Sequence, residues 1–202
     1  MTYERPILSR YLDPVEVLWL ATARRLGFTV RRDPAIFSRT DGSGMLWLGP
    51  RETLDPDDTV SQMLFHEICH WATNGVETFA LEDWGFPLEE YDDPREFASL
   101  RLQAWWADRY GLRGMFGPTG KYRQYFDRIG PDPLAPLDAS DLEREIVAIA
   151  ATAIATAQRA PFAPTVDEAL AATAAVRALV APFLGDYHTE LDADPLPSLW
   201  SR

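Results

Sequence analysis

Two of the chain's three histidines stand one helical turn apart, in His66-Glu67-Ile68-Cys69-His70, and this pentad constrains the fold more than any other feature. Residues four apart on an α-helix share a face, so both imidazoles can aim at one point. Asp58 or Thr59 is placed to cap such a helix and Gly75 to close it, which predicts a helix over about 59–74. Met63, Leu64, Phe65, Ile68 and Trp71 make that helix mostly apolar, hence mostly buried. Buried histidines with a glutamate between them are costly without a partner. Scattering three histidines and thirteen glutamates at random yields this spacing far less than once. The pattern therefore points to a metal site. His66 and His70 would be ligands, and Glu67, rotated by about 100°, would lie beside the ion, placed to take a proton from bound water.

Two imidazoles do not complete a site. The metzincin extension needs glycine at 73 and histidine at 76, where this chain has Thr73 and Val76. Cys69 sits between the histidines, points elsewhere and reads as a packed small hydrophobe. Carboxylates on a returning helix remain. Glu96 stands in the first turn of a helix opened by Asp93-Pro94, with Gln103 on the same face two turns later. It is the leading third ligand, with Asp83, Glu90, Asp92 and Asp93 as alternatives. Its competing role is as the N3 residue of an Asp93 capping box. Tyr187 and His188 are candidate transition-state donors, or else polar surface.

The remaining elements follow from punctuation. Asp13-Pro14 caps and starts a helix that Gly27 closes. Residues 28–32 and 35–39 are β-like, and a TDGSG turn leads into a strand over 45–49, predicting a hairpin. Residues 76–93 read as an irregular excursion. A further helix starts at Asp93-Pro94 and stops by Gly111, and a short one fits 120–128. Two alanine-rich helices follow, each opened by a capping-box pattern, Ser140 with Glu143 and Thr165 with Glu168. The expected fold class is α+β: a small N-terminal sheet beside a helical majority, with the metal helix in its midst. One domain spans 1–202, with a core over about 1–130 and a helical extension over about 138–185.

Composition narrows the partners. Nineteen basic against thirty-one acidic residues leave a net charge of −12, which argues against nucleic-acid and anionic-membrane binding. Arg24-Arg25 and Arg31-Arg32 are too short for nucleic-acid patches. The most apolar run, 146–157, is too short to span a bilayer. No apolar leader is visible in the first residues, and a lone cysteine fits a reducing compartment, so a cytoplasmic location is expected.

The pentad with a downstream glutamate resembles the gluzincin type of zincin metallopeptidase. The flanks, HEICHW followed by Gly75, then Asp83-Trp84-Gly85-Phe86, then Gln103-Ala104, resemble the elongation factor P hydroxylase family over about residues 58–106. That resemblance implies a zincin-like fold holding a two-histidine, one-carboxylate iron centre. The implied reaction is hydroxylation of a modified lysine on the translation factor. His66 and His70 match the histidine ligands and Glu96 the carboxylate. The chain departs from the family pattern at Glu77 and Thr78, where arginines are expected, in a shorter stretch between Asp83 and Gln103, and in its C-terminal third.

Three functions are in play. A hydroxylase would use Fe(II), with Trp71 or Trp84 shielding the reacting group from water. A zinc peptidase would use Zn(II) and Glu67 as general base, and by resemblance to zincins would grip a peptide along an edge strand, 45–49 being the candidate. A non-catalytic, metal-stabilised interaction protein would need four protein ligands. The partner of either enzyme is a protein or peptide.

Overall fold

The computed structural model describes residues 12–50, 53–54, 58–86, 93–118 and 120–183. Glu90, Asp92, Tyr187 and His188 lie outside them. The described chain is α+β with a helical majority around a three-stranded mixed sheet. Among the described residues no helix is long and apolar enough to cross a membrane.

Helix α1 (Pro14–Arg25) starts at Asp13, whose carboxylate accepts the Val15 and Glu16 amides at 2.9 and 3.1 Å. Such a cap contributes about 0.5–2 kcal/mol. The sheet follows as β1 (Thr29–Arg32), β2 (Ser38–Thr40) and β3 (Met45–Leu48). β2 and β3 form the expected hairpin, with Ser38 opposite Leu48. β1 pairs with β3 in parallel, so the order is β1-β3-β2. The segment 45–49 is therefore the central strand. It cannot serve as a peptide-gripping edge, because hydrogen bonds to β1 and β2 use both of its sides. Gly42 in the hairpin turn has φ +68°, and a Cβ there would sit 2.7 Å from the Ala80 carbonyl oxygen. Only glycine fits that turn against its neighbour.

Helix α2 (Val60–Asn74) carries the histidine pair. Thr59, not Asp58, is its cap, and Gly75 closes it at φ +102°. α2 is packed against α1, against α3 (Pro94–Asp108) and against α5 (Asp141–Ala157). Phe65, fully buried, touches the rings of Trp19, Phe116 and Trp106, with centroids 4.8–5.9 Å apart. Burying one such side chain is worth about 1.5–3 kcal/mol. The 76–93 excursion contains two 3-10 turns, Val76–Ala80 and Asp83–Gly85. A 3-10 turn at Gly120–Tyr122 leads into the short α4 (Arg123–Arg128).

The alanine-rich helices dock on this body, α5 along α3 and α2, and α6 (Thr165–Val180) along α1. Their capping boxes form only in part. Ser140 accepts the Glu143 amide, but the Glu143 carboxylate turns inward to pair with Arg101. α6 is capped at Pro164 with no side-chain bond, and Thr165 is its first helical residue. The carbonyls of Phe162 and Pro164 already take the Val166 and Glu168 amides, and Glu168 pairs with Arg25 at 2.7 Å.

α3 is buried on nearly every side, polar residues included: Ser99, Arg101 and Gln103 have no exposed surface. Each needs an internal partner, and each has one. Ser99 donates to the Arg95 carbonyl, Arg101 meets Glu143, and Gln103 reaches His66.

Candidate metal centre

Glu96 is the N3 residue of α3, where a carboxylate is favoured by the helix dipole. Asp93 caps the helix through the Arg95 amide, and the Glu96 side chain does not return to the cap. It reaches across to α2 instead. Its Oε1 lies 3.5 Å from His66 Nε2 and its Oε2 3.1 Å from His70 Nε2. The imidazole centroids are 4.3 Å apart, and one donor atom from each of the three residues lies within 4.8 Å of the others.

Donors about 2.1 Å from a common ion at tetrahedral or octahedral angles stand about 3.0–3.4 Å apart, close to the two histidine contacts of Glu96. His70 Nε2 and Glu96 Oε1 are also buried without an aligned hydrogen-bond partner. In a folded protein such atoms usually meet a partner, be it a water, a proton or an ion. Two imidazoles and one carboxylate suit a divalent first-row cation, so the residues present fit a metal.

Several contacts hold the triad. His66 Nδ1 is 2.8 Å from Gln103 Oε1. The His70 ring packs on Phe86 at 4.7 Å, and Asn74 donates to the His70 carbonyl. Arg95 binds Asp93, donates to Asn74 Oδ1 at 3.1 Å and lies over the Phe86 ring. It thereby ties the start of α3 to the end of α2.

The other expected residues are placed as follows. Asp83 Oδ1 accepts the Thr40 amide at 2.8 Å, and Asp93 caps α3, so neither joins the histidines. Burial pushes the Asp83 carboxyl above the usual carboxylate range, against the Thr40 amide, which lowers it. Cys69 is fully buried, and that burial raises its thiol well above the ordinary value, which makes it inert.

Glu67 is buried with both oxygens engaged: Ser38 Oγ donates to Oε1 at 2.6 Å and Trp84 Nε1 to Oε2 at 3.0 Å. Trp84 reaches it from a left-handed turn in which Asp83, Trp84 and Gly85 have φ +44°, +59° and +74°. Such backbone in a non-glycine residue costs about 1–3 kcal/mol and persists only where its surroundings hold it. Here Thr40 and Glu67 do so, together with Trp71, which stacks on Trp84 at 5.9 Å. Trp71 and Trp84 are thus part of the core, and neither lines the cleft. Ser38, Trp84 and Gln103 are the contributors that sequence spacing does not assign. Their roles arise from contacts 17–37 residues apart, and only the position of Gln103, two turns past Glu96, hints at one.

The triad opens onto a cleft of about 380 Å³ whose walls include Phe37, Asp58, Met63, Pro118, Lys121 and Tyr122. Burial opposes charge on His66, but the adjoining Glu96, with Glu67 and Gln103, outweighs it and raises the imidazole to about 9. Burial likewise acts to raise Glu96, but the two histidines bring it well below the usual carboxylate range. A raised histidine stabilises the ion-free protein fully below its unfolded value of about 6.5, and that contribution is lost as pH rises through about 9. The His66 proton must leave before Nε2 can ligate. Zinc binding at pH 7 should therefore release about one proton, and affinity should climb with pH up to about 9. Titration calorimetry in buffers of different ionisation heat measures this, and no proton release would show that His66 is already neutral.

Comparison with protein-family models, curated proteins and solved structures gives no match to this chain.

Proposed function

We propose that this protein is a mononuclear metalloenzyme whose two-histidine, one-carboxylate centre is His66, His70 and Glu96. Within that class, we read it as a hydroxylase of the elongation factor P hydroxylase type, on a zincin-like scaffold, acting on a modified lysine side chain of a protein partner. The observation that carries the reading is the convergence of the three side chains at the foot of an open cleft, with Glu67 held by Ser38 and Trp84 rather than left as a free base. A ferrous ion there would supply dioxygen activation, one oxygen atom entering the substrate and the other leaving as water at the expense of an external two-electron reductant.

The chain's own residues bind and orient. The Phe37, Met63 and Tyr122 side chains give the cleft apolar walls for an alkyl stem, and Asp58, Glu67 and Lys121 give it charges of both signs. The peptidase reading has less support. The outward edge of β2 is closed to a substrate strand where Asp83 takes the Thr40 amide and Glu82 pairs with Arg39. A closed structural site would need a fourth protein ligand, and the cluster among the described residues has three members.

The test is metal analysis of protein purified without oxygen, followed by turnover of wild type and Glu67→Gln. A hydroxylase should take up iron(II) stoichiometrically and add one oxygen atom to the modified translation factor, read by mass. Glu67→Gln should lower that turnover less than about tenfold, since general-base catalysis, worth about 10²–10⁴, is not at stake. Stoichiometric zinc with casein cleavage that Glu67→Gln abolishes would replace this reading with the peptidase.

A further inference from the structure

Gln103 is fully buried, and each end of its amide meets a different group. One end hydrogen-bonds the Phe116 carbonyl, and the other lies 2.8 Å from His66 Nδ1. A carbonyl can only accept, so the Gln103 NH₂ must face Phe116. The Phe116 backbone is in turn fixed, its amide bonded to the Leu112 carbonyl and its ring packed between Trp19 and Phe65 at 5.3 and 4.8 Å. Gln103 Oε1 therefore presents an acceptor to His66, and Nδ1 must carry the hydrogen. In a neutral ring Nε2 then holds a lone pair, aimed at Glu96 Oε1 3.5 Å away. Two acceptors facing each other inside a protein repel unless a proton or a metal cation lies between them, and a metal that binds there takes the place of the proton.

We infer that Gln103 is a positioning residue: it fixes His66 as the Nδ1–H tautomer, so that Nε2 and the Glu96 carboxylate form a paired acceptor site for a divalent cation. The inference rests on the metal reading above and adds to it the residue that orients one ligand. Outer partners of this kind are worth about 10–100-fold in metal affinity. Ser99, one turn before Gln103 and equally buried, serves as a control. Its hydroxyl donates to the Arg95 carbonyl at 2.9 Å, and it does not line the cleft.

The experiment uses cobalt(II) and zinc(II) with the full chain. Gln103→Met should bind cobalt(II) about 10–100-fold more weakly than wild type and shift its visible ligand-field bands, while Ser99→Ala stays within about threefold. Independently, long-range proton–nitrogen correlation spectra of the zinc-loaded wild type, simple to read with three histidines, should show His66 protonated at Nδ1 and ligated at Nε2. This second measurement decides the matter if Gln103→Met does not fold. Wild type that binds cobalt(II) while Gln103→Met binds it equally well, or zinc-loaded His66 ligated through Nδ1, overturns this inference alone. Wild type that binds neither ion overturns the metal reading and this inference together.

Discussion

Glu96→Gln protein should bind zinc(II) or cobalt(II) more than about 100-fold more weakly than wild type, a larger loss than removal of an outer-shell partner causes. The carboxylate is the sole anionic donor of the triad and the group both imidazoles face, at 3.1 and 3.5 Å. An amide of the same shape removes its charge while leaving the packing of α3 on α2 nearly unchanged. Asp83→Asn provides the contrast. Its Oδ1 takes the Thr40 amide and it lies outside the His66–His70–Glu96 cluster, so affinity should stay within about threefold of wild type. Competition against a chelator of known affinity measures both. Equal affinity in Glu96→Gln and wild type would remove Glu96 from the centre, and a selective loss in Asp83→Asn would install Asp83 in its place.

Arg101→Met should destabilise the protein by about 3–5 kcal/mol, the usual result of removing one partner from a buried ion pair. The guanidinium has no exposed surface, and every contact is internal: Glu143, the Tyr125 hydroxyl at 2.7 Å, and the carbonyls of Pro133 and Ala135. Its loss strands the Glu143 carboxylate, which would keep only the Leu137 amide at 2.9 Å and the Tyr125 hydroxyl. Burial pushes that hydroxyl up to about 12, above neutral pH by a wide margin, so it stays a donor. Urea unfolding followed by fluorescence measures the change. Arg101→Met with Glu143→Leu should recover much of the loss, because no charge is then left unpaired. A single-variant loss under about 1 kcal/mol would mean that water reaches the pair.

The helices that carry the candidate site are legible in the sequence because their signals are local. Thr59 and Gly75 bound α2, Asp93-Pro94 starts α3, and four-residue spacing puts His66 and His70 on one face. Signals fail where a distant partner competes for the same side chain. Glu143 has the position of a capping-box residue, yet a buried guanidinium 42 residues away is the stronger claim on its charge. The sheet order is illegible for a related reason. Strands of three and four residues carry too little alternation to say that β1 would pair with β3 in parallel and leave β2 at the edge. The left-handed turn at Asp83-Trp84 has no signal beyond Gly85, because tertiary contacts, not residue preference, hold those two residues there.

The Arg101–Glu143 pair also bears on biosynthesis. Arg101 is synthesised 42 residues ahead of the acid that neutralises it, so α3 is made before its buried guanidinium has a partner. Until α5 joins it, the face of α3 that bears Arg101 carries a guanidinium that must stay hydrated. The helix that bears Glu96 is thereby complete as a buried element only after the C-terminal third has been synthesised.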